Sequence, residues 1–181
     1  MSVKPAFRLL HRAALLAAAV TGVVVFTGSA PASADQVGRL VNAITNLCAD
    51  LPANSFPGAA LVNNPCDGST TQEWTMVTSN PAFWKGRYYY HLVNFVSNGC
   101  IGVANGSRSE GAAVVILNCG NVQNEYWTPV TITQPSPFPN LTIWANLGSG
   151  KCMRPRGGDA QDGTPMEQID CDGRNIFWNQ L

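Results

Sequence analysis

The sequence predicts an all-β fold made of three repeated units. The first cysteine of each unit recurs at intervals of 52 residues and the second at intervals of 53 and 52: Cys48, Cys100 and Cys152, then Cys66, Cys119 and Cys171. A tryptophan follows each second cysteine after seven or eight residues: Trp74, Trp127 and Trp178. No long segment after residue 34 has a convincing 3.6-residue apolar period, which an amphipathic helix requires. A fixed period of this length indicates one structural unit written three times.

Further residues keep the same register in each unit. An asparagine precedes each first cysteine by six residues, a glycine precedes each second cysteine by eight, and an apolar side chain follows that glycine by three. These residues are Asn42, Asn94 and Asn146, then Gly58, Gly111 and Gly163, then Leu61, Val114 and Met166. The glycines stand among turn-forming residues, where a β-hairpin requires a positive φ. The apolar run Ala112–Leu117 is short and β-branched, which suits a buried strand.

The six cysteines predict three disulfides. An even number of cysteines in an exported chain favours disulfides over metal ligation or redox chemistry. Within each unit the two cysteines lie 18 or 19 residues apart across a hairpin-like segment. We therefore expect Cys48–Cys66, Cys100–Cys119 and Cys152–Cys171, with bridges between units as the alternative. Each bridge would stabilise the fold by about 3 kcal/mol in the chain-entropy model.

The N-terminal residues predict a secretory signal peptide over residues 1–34. Lys4, Arg8 and Arg12 precede the apolar run Ala13–Phe26, and Ala32-Ser33-Ala34 has the small side chains of a cleavage site. A membrane anchor is the alternative, but the run is shorter than the ~20 residues that a spanning helix needs. We expect a secreted, extracellular protein without a membrane span in the mature chain. The mature chain would be a single domain, residues 35–181, with units at about 38–78, 88–130 and 141–181.

The charge of the mature chain argues against nucleic acid as a partner. Three of the 11 basic residues and none of the 11 acidic residues lie in the leader, which leaves eight basic against 11 acidic residues. Nucleic-acid binding requires clustered lysine and arginine to neutralise phosphates. We also expect no cofactor and no metal site.

Several segments together resemble the ricin-B type β-trefoil lectins, a carbohydrate-binding module family with a Gln-x-Trp signature. They are SGKCMRP and DGTPMEQIDCDG in the third unit, TQEW at Thr71–Trp74 and NEYW at Asn124–Trp127. The resemblance covers about residues 38–181. It implies a β-trefoil of three four-stranded repeats with pseudo-threefold symmetry, twelve strands in all. It also implies within-unit disulfides and places Trp74, Trp127 and Trp178 in the shared core.

The resemblance also implies three sugar-binding positions in each unit. They are an aspartate two residues after the first cysteine, an aromatic residue two before the second cysteine, and an asparagine three before the tryptophan. Unit one has Asp50, Asn64 and Thr71 there, unit two Gly102, Leu117 and Asn124, and unit three Arg154, Ile169 and Asn175. In the Gln-x-Trp element, Gln72 fits in unit one, whereas Glu125 and Ile176 replace it elsewhere. No unit is complete, and the candidate binding residues are Asp50, Asn64, Gln72, Asn124 and Asn175.

Two other groups of residues are candidates for binding. Arg154 and Arg156, flanked by Asp159, Asp162 and Asp170, form either a polar pocket for an acidic ligand or a solvated loop with local ion pairs. Trp84 and Tyr88–Tyr90 lie in Thr78–Tyr90, which we expect to connect units one and two. They form either a replacement stacking platform or the side chains of an ordinary strand. Alternation would place Tyr88, Tyr90 and Leu92 on one strand face, with Tyr89, His91 and Val93 on the other.

The sequence favours a binding protein over an enzyme. His91 is the only histidine after residue 34, and the chain has no Gly-x-Ser-x-Gly or His-Glu-x-x-His motif. With every cysteine assigned to a bridge, no thiol nucleophile remains. We therefore expect a secreted lectin-like β-trefoil without catalytic residues, whose partner is a carbohydrate or glycoconjugate bound at degenerate sites. The alternative is a trefoil that binds another secreted protein, as an inhibitor or toxin-accessory module.

Overall fold

The structure is a computed structural model that describes residues 34–52, 55–137, 140–159, 161–172 and 176–179. The predicted signal peptide, except for Ala34, therefore lies outside the described residues. A search of the described part of the chain finds no helix with the length and hydropathy needed to cross a membrane.

Antiparallel strands account for nearly all of the regular structure. Short 3-10 turns separate some of the strands, and the described residues contain no α-helix. The all-β prediction is thus confirmed. The eleven strands are β1 Gln36–Gly38, β2 Leu47–Asp50, β3 Val62–Pro65, β4 Trp74–Trp84, β5 Arg87–Asn94, β6 Cys100–Val103, β7 Val114–Leu117, β8 Tyr126–Ile132, β9 Leu141–Asn146, β10 Cys152–Pro155 and β11 Thr164–Ile169.

The first and last strands of the units pair into a closed ring. β1 pairs with β4, β4 with β5, β5 with β8 and β8 with β9. Trp178 completes the ring, because it forms bridges to Thr142 in β9 and to Asn42 just after β1. Within the described residues this pair of bridges replaces the twelfth strand that the resemblance implies.

The middle strands of each unit form a hairpin, and the three hairpins contact one another. β2 pairs with β3, β6 with β7 and β10 with β11. β3 also pairs with β11, while bridges join Ala60 to Val115 and Ala113 to Glu167. Each unit's hairpin therefore contacts those of the other two, which gives the threefold arrangement of a β-trefoil. The three repeated glycines, Gly58, Gly111 and Gly163, have φ values of 97°, 74° and 75°, as the predicted turns require.

The three repeated tryptophans occupy equivalent places in the core. Each is 0% exposed. Each indole Nε1 donates to a carbonyl oxygen of the strand that begins near the first cysteine of its own unit. The pairs are Trp74 to Ala49 at 3.0 Å, Trp127 to Ile101 at 2.9 Å and Trp178 to Met153 at 3.2 Å. A buried indole N–H needs such a partner, so the same hydrogen bond fixes each unit to the core.

The three disulfides join the two cysteines of each unit. The bonds are Cys48–Cys66, Cys100–Cys119 and Cys152–Cys171, with Cα–Cα distances of 5.1, 5.0 and 5.0 Å. The within-unit pairing is therefore present, and the alternative of bridges between units is not.

The segment Thr78–Tyr90, between units one and two, is a hairpin. β4 continues to Trp84 and β5 begins at Arg87, so the segment forms the two arms of a hairpin. Its tip is Lys85-Gly86, with φ values of 47° and 78°, which is the geometry of a two-residue hairpin turn. Aromatic residues on both sides of this turn favour extended strands, and for this reason the pairing runs past the expected end of the unit.

Candidate functional site

The family-type site in each unit lies on the strand that begins near the first cysteine. Asp50, Gly102 and Arg154 are equivalent, because each lies two residues past that cysteine, in β2, β6 and β10. Their cross-strand neighbours are Val62, Val115 and Glu167. The same backbone position therefore has a different chemical environment in each unit.

In unit one the carboxylate of Asp50 is held from one side. Its Oδ2 accepts hydrogen bonds from Asn64 Nδ2 at 3.0 Å and from Gln72 Nε2 at 3.3 Å. Its Oδ1 is buried and accepts no hydrogen bond from the described residues. Asn64 is fixed in turn, because its Oδ1 accepts the backbone N–H of Gly163 at 2.9 Å. One oxygen of the carboxylate is therefore held by two donors, while the other is buried without a partner among the described residues.

Gln72 lies behind Asp50 as a support. It is fully buried, its Nε2 also donates to the Pro65 carbonyl at 2.8 Å, and its Oε1 accepts the Asp67 N–H at 3.1 Å. All of these contacts are within the protein, so Gln72 positions Asp50 rather than facing a ligand itself.

The residues equivalent to Gln72 differ in the other two units. Glu125 keeps part of the bonding pattern in unit two, since its Oε2 accepts the Gly120 N–H at 2.6 Å. Ile176 in unit three is buried and apolar.

In unit two a leucine covers the equivalent position. A Cβ atom on Gly102 would lie 2.5 Å from Leu117 Cδ1, so Leu117 fills the space that a longer side chain would need. Asn124, a predicted binding residue, donates from Nδ2 to the Val103 carbonyl at 2.9 Å. Unit two therefore offers no carboxylate comparable to that of Asp50.

In unit three an ion pair occupies the position. Arg154 Nε donates to Glu167 Oε1 at 3.0 Å, and Oε1 also accepts the Gly157 N–H at 2.9 Å. Arg156 Nε lies 3.8 Å from Glu167 Oε2. The predicted binding residue Asn175 lies outside the described residues.

The contacts of the two arginines favour local ion pairs over a pocket for an acidic ligand. Both point to Glu167, a partner that the sequence analysis did not name. Asp170, one of the predicted flanking carboxylates, instead bonds to Lys151. This hydrogen bond lowers the pKa of Asp170 and raises the pKa of Lys151. The cross-strand register explains the difference, since it places Arg154 directly opposite Glu167.

His91 is a packed ring between strands β5 and β8. It stacks on Tyr126 with ring centroids 4.0 Å apart, and its Nε2 lies 3.9 Å from Glu125 Oε2. Burial lowers the pKa of His91, and the negative charge of Glu125 partly opposes this effect. The neutral form is therefore favoured in the folded protein.

A cleft of about 430 Å³ lies beside the β4–β5 hairpin. Trp84 and Tyr89 contribute to one wall, while Arg108, Gln123 and Leu147 come from three separate loops. A second cavity of about 390 Å³ shares Trp84, Gln123 and Leu147 with the first. Since the two cavities share three lining residues, they form one extended depression, to which we refer as the Trp84 cleft.

The predicted aromatic platform is divided between two faces of the hairpin. Tyr88 and Tyr90 line a separate depression of about 340 Å³ against Thr128–Thr131, away from the Trp84 cleft. Phe83 contacts Tyr88, with ring centroids 4.9 Å apart. Of the four aromatic residues named from the sequence, only Trp84 and Tyr89 line the Trp84 cleft.

The repeated asparagines hold the turns that follow them, a role that their spacing alone does not predict. Each side-chain Oδ1 accepts two backbone N–H groups of the turn that follows, an arrangement typical of asparagine turns. In unit three, Asn146 accepts from Gly148 at 3.0 Å and from Ser149 at 3.2 Å, and both of these residues line the Trp84 cleft. The equivalent bonds run from Ile44 and Thr45 to Asn42, and from Val96 and Ser97 to Asn94.

Comparison with known proteins agrees with this geometry. Residues 36–136 match the family model of the ricin-type beta-trefoil lectin domain. No curated protein sequence is significantly similar to this chain.

Solved structures with the same fold include natural and designed proteins. The designed threefold-symmetric protein ThreeFoil is 24% identical, with a TM-score of 0.66 over 78% of this chain and 95% of its own. The exo-β-1,3-galactanase 1,3Gal43A of Clostridium thermocellum is 22% identical, with a TM-score of 0.65 over 77% of this chain but only 28% of its own. The ricin B-like lectin of Macrolepiota procera, solved with lactose, is 18% identical, with a TM-score of 0.58 over 79% and 92%. At these identities the likeness shows a shared fold.

Proposed function

Because the chain belongs to the ricin-type β-trefoil lectin family, we propose that it is a secreted carbohydrate-binding protein without catalytic activity. Unit one provides the remaining family-type site. The observation that supports this choice is the carboxylate of Asp50, which unit one alone retains. The other two units have Gly102 and Arg154 in its place.

The bonding of Asp50 suits the recognition of a sugar hydroxyl. Asn64 and Gln72 both donate to Oδ2 and thereby fix the carboxylate, while Oδ1 has no partner among the described residues. An ionised acceptor forms stronger hydrogen bonds than a neutral one, and a buried acceptor without a partner is costly. Because Oδ1 is buried, a sugar hydroxyl that donates to it would relieve this cost once neighbouring side chains move aside.

The same site lacks an aromatic ring that would stack on the apolar face of a sugar. Asn64 stands where the family has an aromatic platform, so the stacking contribution of a ring is missing. We therefore expect weak binding, with a dissociation constant of about 1 mM, equivalent to about −4 kcal/mol.

Export of the protein is supported by its disulfides and by its leader. Disulfides form and persist in oxidising compartments, and this chain has three of them. The charge and apolar pattern of residues 1–34 match a signal peptide. We infer that residues 35–181 form the mature single domain.

The absence of catalysis is inferred from the environment of the reactive groups. The cysteines are paired in disulfides, and the pKa of His91 is lowered by burial against Tyr126. The carboxylate of Glu125, which lies next to His91, already accepts a hydrogen bond from the Gly120 N–H. These groups act as parts of the scaffold.

The test is a glycan array followed by titration calorimetry of the best neutral glycan. We expect Asp50→Asn to abolish measurable binding, because the amide cannot replace the charged acceptor on Oδ1. Asp159→Asn, an exposed aspartate of unit three, serves as the matched control and should bind as the wild type does. If no glycan is retained at protein concentrations adequate for millimolar affinity, the lectin proposal is wrong.

The second candidate function is the binding of another secreted protein. Phe83 and Tyr88 form an exposed aromatic pair on the β4–β5 hairpin. Adjacent apolar side chains exposed to solvent are typical of a protein-binding surface. Pull-down from the secretomes of co-occurring cells would identify such a partner. Retention of that partner by the double variant Phe83→Ala and Tyr88→Ala would contradict this surface as the contact.

A further inference from the structure

We propose that the Trp84 cleft binds an acidic saccharide, that is, a sugar chain with carboxylate groups such as a uronic acid. The inference rests on the proposed function, because it takes the ligand to be a carbohydrate. The cleft is distinct from the family-type positions, which lie on the β2, β6 and β10 strands. It is built from the β4–β5 hairpin and three loops of units two and three.

The cleft has an aromatic surface suited to the apolar face of a sugar ring. The Trp84 side chain is 54% exposed and lines both halves of the depression. Pairing of β4 with β5 places Ala82 opposite Tyr89, two residue pairs in from Trp84 and Arg87. Because alternate pairs in a hairpin share a face, Trp84 and Tyr89 lie on the same side of it. A half-exposed indole next to a polar wall is a common way to hold a pyranose ring.

The cleft also has two cations and no anion. Lys85 at the hairpin tip and Arg108 in the β6–β7 loop both line it, whereas none of the described residues that line it is an aspartate or glutamate. Neither cation makes an ion pair with a described residue. Glu110, close to Arg108 in sequence, is directed elsewhere, since it accepts the Asp170 N–H at 3.1 Å. A carboxylate-bearing ligand would meet favourable charge on two sides, and an arginine can bind a carboxylate in a bidentate manner.

The remaining wall is polar and held in place. Gly148 and Ser149 are fixed by Asn146 Oδ1, and Ser149 Oγ bonds to Gln168 Oε1 at 2.7 Å. The side chain of Gln123 is exposed and forms no hydrogen bond with a described residue, so both of its polar ends are available to hydroxyl groups. At about 430 Å³ the larger half of the cleft falls within the usual range of small-ligand sites.

A short acidic glycan fits this cleft better than a polyphosphate. Predicted removal of the leader leaves eight basic against 11 acidic residues, so a long polyanion would meet repulsion outside the cleft. Lys85 and Arg108 can bind one carboxylate while Trp84 stacks on the adjoining sugar ring.

The test uses uronic acid tetrasaccharides, each compared with the same tetrasaccharide after reduction of its carboxylates to alcohols. Calorimetry should show that the wild type prefers the acidic form, and that this preference weakens with added salt. We expect Trp84→Ala to weaken binding of the acidic form by about tenfold. Arg108→Gln should remove most of the preference for the acidic form while affecting the reduced form little.

Two controls separate this inference from the proposed function. Tyr88→Ala removes an aromatic ring of similar exposure, 55%, from the same hairpin but outside the cleft, and it should bind as the wild type does. Asp50→Asn should lose a neutral glycan held in unit one but keep the uronate tetrasaccharide.

The outcomes of these measurements distinguish the two proposals. A wild type that binds neutral glycans through Asp50 but shows no preference for the acidic form overturns this inference alone. Equal binding of the acidic form by the wild type and Trp84→Ala also overturns it. A wild type that binds no glycan overturns both proposals.

Discussion

Units one and three place opposite charges at equivalent positions of their hairpins. In unit one Asp50 faces Val62 across the strand pair, and its Oδ1 remains without a partner among the described residues. In unit three Arg154 faces Glu167, and the two side chains form an ion pair. The cross-strand neighbour thus determines whether the charged side chain at this position has an ion-pair partner. The apolar neighbour Val62 offers Asp50 none, whereas Glu167 pairs with Arg154.

Unit two closes the same position by packing rather than by charge. Leu117 lies against Gly102, which leaves no room for a longer side chain. All three units nevertheless keep the indole hydrogen bond to the strand that contains the site position. The scaffold and the site are therefore separable, because the bonds that hold each hairpin to the core use backbone carbonyls and not the side chains at the site.

The largest effect should come from breaking the shared scaffold. Trp127→Ala removes a fully buried ring and its hydrogen bond to Ile101, and it should cost about 3–5 kcal/mol of unfolding free energy. Trp74→Ala should cost a similar amount if the units are equivalent. Trp84→Ala provides the control, since an exposed tryptophan should change stability by less than about 0.5 kcal/mol. Chemical unfolding checks all three, and a Trp127→Ala melt like that of the wild type would refute the core assignment.

A smaller effect should distinguish the two charged positions. Glu167→Ala removes the partner of Arg154 and the acceptor of the Gly157 N–H, and it should cost about 1–3 kcal/mol. Glu167→Gln keeps an acceptor for both donors and should cost less. Asp50→Asn should change stability by less than about 1 kcal/mol, because the Asp50 carboxylate has one oxygen without a partner. Equal losses at Asp50 and Glu167 in urea titrations would show that the two positions do not differ as described.

The smallest effect concerns His91, which packs between β5 and β8 within unit two. Its pKa is lowered by burial from the ordinary value of 6.5, so the unfolded chain binds the proton more readily than the folded one. The stability due to neutral His91 is therefore fully present above pH 6.5 and is lost as the pH falls through the lowered pKa. Melting temperatures of the wild type and His91→Phe, compared between about pH 5 and 8, should differ in slope on the acidic side. Parallel curves would mean that His91 does not contribute to the pH dependence of stability.

Several features of the fold were open to prediction because they depend on local sequence. The glycine turns, the tryptophan spacing and the cysteine intervals each act within one unit, and together they indicated the trefoil and its disulfides. The hairpin turn at Lys85-Gly86, between units one and two, is not predicted by the sequence, because it lies beyond the expected end of unit one. There the propensity of the aromatic residues for strands prevailed over the unit boundary.

The repeated scaffold follows from the sequence, since each repeated residue has the same structural role in every period of about 52 residues. The sequence also predicts that no unit retains a complete sugar site of the family type. The folded structure determines which of these positions are paired or covered, because that depends on neighbours such as Glu167 and Leu117 on the adjoining strand. The Trp84 cleft depends on folding even more, since residues 84, 108, 123 and 147 meet only when hairpin and loops pack around the shared core.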